Sequence, residues 1–132
     1  MKLPTERLKN EMITWRRTIH KFPELGFNEI RTTKLISDLL TSFGLKIYEH
    51  FSKTGVIAHL EKNNTKKLIA IRADIDALPI NEETSFDYKS QNDGVMHACG
   101  HDGHTATLLG ATKFLSEDAS FDGNILFIFQ PD

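Results

Sequence analysis

The eight residues HACGHDGH (97–104) hold the chain's single cysteine and three of its six histidines. Thiolate and imidazole suit zinc and other borderline transition ions, whereas magnesium and calcium prefer oxygen donors. Cys99 and His101 stand two apart. In an extended loop both would project to one side, close enough to hold one ion or two adjacent ions. Gly100 between them permits backbone angles that a larger residue resists. Two other chemistries compete with metal binding. Cys99 could be a small buried hydrophobe beside histidines satisfied by the backbone. It could also be a nucleophile with a histidine base, although neighbours at this spacing seldom align for that. Spacing leaves His97 and His104 open as ligands, outer partners or substrate contacts.

RADIDALP (72–79) is the second stretch with chemical content. Asp74 and Asp76 share one face of a strand end, where adjacent carboxylates repel unless a cation or histidine offsets them. The plainer alternative is one capping and one solvated carboxylate. A metal-bound histidine commonly donates its second N–H to a carboxylate, and this links the two stretches.

Periodicity predicts the elements that position these groups. Leu8, Met12, Trp15 and Ile19 lie on one helical face, with Thr5 as cap and Pro23 as stop. A second helix is expected from Asn28, with Ile36, Leu39, Leu40 and Phe43 buried and Gly44 ending it. The pattern then turns extended over 45–50, 55–61 and 67–74, with 61–67 as a hairpin-like turn. Leu68 to Ile71 read as a strand covered on both faces. Residues 79–96 form a long loop, 102–116 a third helix and 123–130 a last, buried strand. That strand is expected to carry an uncovered edge or face between Ile125 and Phe129. Together these give an α/β fold: a partial, truncated three-layer catalytic domain with a largely buried mixed sheet and flanking helices. Ligands of open α/β sheets gather beyond the carboxyl ends of strands. Asp74, Asp76 and Asp132 follow two such ends, and HACGH precedes the helix between them.

Composition narrows the function classes. A chain of 132 residues fits one domain, and a net charge of −2 gives no reason to expect nucleic acid or an anionic membrane surface. The longest apolar run, ILFIF (125–129), is far too short to span a bilayer. MKLPTERLKNEM lacks a signal peptide's apolar core. One cysteine makes no internal disulfide, so a cytoplasmic location is expected.

RRTIHKFPELGFNE (16–29), RADIDALPI (72–80), MHACGHDGHTATLLGA (96–111) and FQP (129–131) occur in that order. With them the whole chain resembles the N-terminal part of the metal-dependent amidohydrolases in the aminoacylase/carboxypeptidase group of metallopeptidases. The nearest branch holds hippurate hydrolases, N-acyl-amino-acid deacetylases and auxin-conjugate hydrolases. The resemblance implies an α/β catalytic domain interrupted by a dimerisation and lid domain absent from residues 1–132. It matches Cys99 and His101 to metal ligands of a two-ion centre, with zinc, manganese, cobalt and nickel not distinguished. It places Asp74 and Asp76 in the catalytic acidic motif, Asp76 as the carboxylate that orients a ligand or site water. The implied reaction is hydrolysis of small N-acyl amino acids by metal-activated water, with a glutamate as general base. That glutamate belongs to a pair that follows FQP and an alanine in the family; here Asp132 stands at the alanine. The segment alone is therefore expected to be inactive, and a homodimer is expected only of a complete enzyme. The alternative is a non-catalytic metal-binding or interaction fragment that pairs with a separately encoded remainder.

Overall fold

The computed structural model describes residues 5–48, 51–63, 66–117 and 120–131. Helix α1 spans Glu6–Lys21, α2 Ile30–Ser42 and α3 His101–Glu117; the strands are β1 Lys46–Tyr48, β2 Val56–Lys62, β3 Leu68–Asp74 and β4 Gly123–Gln130. Thr5 caps α1 by accepting a hydrogen bond from the Leu8 amide at 3.2 Å, and Leu8, Trp15 and Ile19 are buried as the spacing required. Helix α2 begins two residues later than expected, at Ile30. Gly44 follows it with φ +80, a left-handed angle that glycine adopts without steric penalty.

The sheet order is β1-β2-β4-β3, with β2 antiparallel and β3 parallel to β4. This corrects the hairpin-like reading of 61–67: β2 and β3 are not neighbours, because β4 lies between them. A parallel pair needs a crossover, and the loop after β3 together with α3 supplies it. Residues 64 and 65 lie outside the described residues.

Burial alternates strictly along β4. Ile125, Phe127 and Phe129 join Val56, Ala58 and Leu60 of β2 in one core with Trp15, Ile36, Leu40, Leu108 and Leu109 of the helices. One sheet face is thus covered by helices, while Leu126 and Ile128 on the other are half-buried. Of the edge or face expected uncovered on β4, the face with Leu126 and Ile128 is only half-buried, but the uncovered edge is not there, since β4 is paired on both sides. It lies on β3. Leu68 and Ile69 are 57% and 59% exposed, and Ile71 is exposed as well. The reading of 68–71 as a doubly covered strand is therefore wrong: β3 is an edge strand whose side chains from Leu68 to Arg72 are exposed on both faces.

Helix α1 packs on α3, and α3 packs on β3 and β4. That stacking carries the first turn of α3 to the carboxyl end of β3. Among the described residues no helix is long and apolar enough to cross a membrane.

Candidate metal centre

Asp74 is the last residue of β3, and His101 is the first of α3. The Thr105 hydroxyl donates to the Asp74 carbonyl at 3.1 Å, tying the first turns of the helix to the strand end. Gly100, at φ +83, makes the bend that admits the chain into α3.

His101 Nδ1 lies 2.8 Å from Asp76 Oδ1 and 3.1 Å from the Asp76 carbonyl. Carboxylate and carbonyl oxygens only accept, so Nδ1 carries a hydrogen, and in the neutral ring Nε2 keeps its lone pair. Nε2 faces Asp74 Oδ2 at 3.8 Å. The Arg72 guanidinium sits 2.5 Å from Asp74 Oδ1, which leaves Oδ2 as the oxygen turned towards His101. His104, one turn further along α3, stacks on His101 with ring centroids 5.5 Å apart. One donor atom each from Asp74, His101 and His104 lie within 4.8 Å of one another. Two imidazoles and a carboxylate, with one imidazole already held by a second carboxylate, fit a divalent transition ion.

The structure brings Asp74, Asp76 and His101 to one rim, as the sequence led us to expect. Cys99 is exposed, in a turn just before α3, and stands outside the trio. The loop is not extended there, so strand-like alternation does not set the relative directions of Cys99 and His101. Asp132 lies outside the described residues.

Behind His101 is a polar cluster with no assigned role in the sequence reading. Asp102 is fully buried, and its Oδ2 meets Arg16 Nε at 3.0 Å and His20 Nδ1 at 2.9 Å. His20 Nε2 meets Glu82 Oε1 at 3.1 Å. Glu82 also accepts from the Thr84 hydroxyl at 2.5 Å and from the Ser90 amide at 2.7 Å. Arg16 and His20 lie in the RRTIH stretch and Asp102 in HDGH, so the motifs contained the signal; only the pairing was invisible. His97 is buried beside this cluster, and neither ring nitrogen has a hydrogen-bond partner among the described residues. Burial pushes its imidazole down to about 4, against the pull of Asp102, so it is neutral at neutral pH.

Burial raises the Glu82 carboxyl, but Thr84, Ser90 and His20 outweigh it and hold the group below its usual 4.5. A carboxyl lowered on folding adds stability above its unfolded value, and that stability is lost as pH falls through the folded value. The chain should therefore lose stability below about pH 4.5, in part through Glu82. Urea midpoints at pH 7 and in acid check this: Glu82→Gln should cost stability at pH 7, and the difference should shrink in acid. An equal difference at both pH values would exclude the contribution.

A mixed α/β sheet that gathers carboxylates and histidines at one strand end offers the donors a divalent ion needs. Known proteins with similar sequence and structure narrow this further. Residues 70–132 match the model of peptidase family M20/M25/M40. The chain is 49% identical over 124 residues to a hippurate hydrolase of Campylobacter jejuni, covering 94% of this chain and 32% of that protein. It is 47% identical over 126 residues to an N-acyl-L-amino acid amidohydrolase of Geobacillus stearothermophilus, covering 95% and 34%. A Bacillus subtilis structure described as a dinuclear metal binding peptidase from the M20 family superposes with a TM-score of 0.92 at 43% identity, over 96% of this chain and 36% of that one. The chain is similar to members of this family over nearly its whole length, and it spans about a third of the length of the curated relatives it matches.

Proposed function

We propose that residues 1–132 supply the N-terminal half of a two-metal amidohydrolase site that acts on small N-acyl amino acids. The observation that carries this reading is His101, held at Nδ1 by Asp76 with Nε2 turned towards Asp74. The relatives' names, hippurate hydrolase and N-acyl-L-amino acid amidohydrolase, support the substrate class and favour it over a non-catalytic fragment.

His101 is the central proposed ligand, with Cys99 the second that the family resemblance implies and Asp74 and His104 the donors set beside His101. Asp76 fixes the tautomer and aim of His101. Divalent ions in such a site supply water activation and polarisation of the amide carbonyl. These donors do not distinguish zinc, manganese, cobalt and nickel. We place the protein in the cytoplasm, without nucleic-acid or membrane partners, and assign homodimer formation to the complete enzyme.

Within residues 1–132 no glutamate is assigned as general base, and a base typically contributes ~10²–10⁴ in rate. The 132-residue chain should therefore show no hydrolysis of hippurate or N-acetyl amino acids above a metal-only control. Its metal binding should be weak, pH-dependent and further reduced by Cys99→Ser. Turnover that disappears on chelation and returns with added metal would overturn the half-site reading. Unchanged affinity in Cys99→Ser would remove Cys99 from it.

A further inference from the structure

We infer that His20 is a positioning residue for the metal centre, clamped between Asp102 and Glu82 so that the first turn of α3 holds His101 and His104 over Asp74. This rests on the metal reading above. The clamp joins three separate parts of the molecule: His20 from α1, Asp102 from the first turn of α3, and Glu82 from the 79–96 loop. Its side chains are 7%, 1% and 1% exposed.

Buried polar groups cost more to desolvate than apolar side chains of the same volume, and their best-attested use is to fix a particular arrangement. The arrangement fixed here is local. Asp102 directly follows His101 and lies two residues before His104, so whatever holds Asp102 sets the phase of the helical turn bearing both imidazoles. Arg16 approaches the same carboxylate oxygen from α1 at 3.0 Å. The opposite side of the turn is held by Asp76 on His101 and by Thr105 on the Asp74 carbonyl. The two imidazoles are thus gripped from both sides of the helix start. A divalent ion needs its donors placed to within a few tenths of an ångström, and outer partners that orient ligands commonly change affinity ~10–100-fold when removed.

Two isosteres separate positioning from general stability. The side-chain amide of asparagine reaches the place of Nδ1, so His20→Asn keeps the link to Asp102 and loses the one to Glu82. Glutamine reaches the place of Nε2, so His20→Gln keeps Glu82 and loses Asp102. Cobalt(II) is titrated into the 132-residue chain and each variant, well below their melting temperatures, and the visible d–d absorption is read alongside circular dichroism. His20→Gln should remain folded, bind cobalt ~10–100-fold more weakly and change the d–d band. His20→Asn should recover most of the affinity and the parent band. Parent-like affinity and spectrum in His20→Gln would overturn the inference, as would equal losses in the two variants. If His20→Gln does not fold, Asp102→Asn takes its place, with weakened cobalt binding expected. Unfolding of that variant too, or unchanged binding, would mark these residues as fold determinants and overturn the inference. A His101→Ala control with unchanged affinity would instead refute the metal reading itself.

Discussion

His101→Ala should remove specific metal binding from the chain, lowering affinity by more than ~10²-fold while leaving the fold intact. The size follows from what the ring does. Outer partners alone commonly change affinity ~10–100-fold, and a direct ligand contributes more. Among the described residues, His101 alone meets both acids of the strand end, Asp76 through Nδ1 and Asp74 through Nε2. Without it, Asp74 and His104 remain without the donor between them. The fold should survive because the side chain is partly exposed and lies outside the hydrophobic core. Equilibrium dialysis against zinc or cobalt, with circular dichroism as the fold control, measures both. Parent-like affinity in the variant would remove His101 from the site.

Phe127→Lys should abolish cooperative folding, whereas Ile69→Lys should leave stability nearly unchanged and reduce self-association. Phe127 is 0% exposed at the centre of β4, with Ala58 and Ile71 as register partners on either side. Truncating a buried phenylalanine costs ~3–5 kcal/mol, and burying an ammonium in its place costs more. Domain stabilities are only ~5–15 kcal/mol, so this single change consumes most or all of it. Ile69 sits on the β3 edge, where a charge changes stability by only ~0.5 kcal/mol and blocks edge-to-edge pairing. Thermal melts and sedimentation at several concentrations separate the two. A cooperative melt for Phe127→Lys, or unchanged association for Ile69→Lys, would contradict the assigned places of these strands.

The difference between those two positions shows where sequence stops being informative. Helix α1, its Thr5 cap and the Gly44 stop are local, and they were legible because caps, periodicity and left-handed angles leave local marks. The apolar run at 68–71 looked like an inner strand because strands covered on both faces are apolar throughout. Whether a strand is inner or edge is a property of pairing order, and β4, more than fifty residues away in sequence, takes the place beside both β2 and β3. The same insertion undid the hairpin reading of 61–67.

The candidate site divides in the same way. Asp74, Asp76, Cys99 and His101 carry chemistry by residue type and could be named in advance. The His101–Asp76 bond spans 25 residues, and the sequence could suggest it only as a carboxylate near a histidine. The clamp on α3 spans more: His20 is 82 residues from Asp102 and 62 from Glu82. The RRTIH stretch singles out His20, but nothing local says which partners it meets. His104 was left open because its role depends on the start and phase of α3, and helix boundaries are the least legible feature of a sequence.

Anomalous scattering from crystals of the chain soaked in cobalt or zinc tests the central claim most directly. A peak is expected within bonding distance of His101 Nε2, at the carboxyl end of β3 between Asp74 and the first turn of α3. No peak there, or ordered metal only at sites that exclude His101, would contradict it.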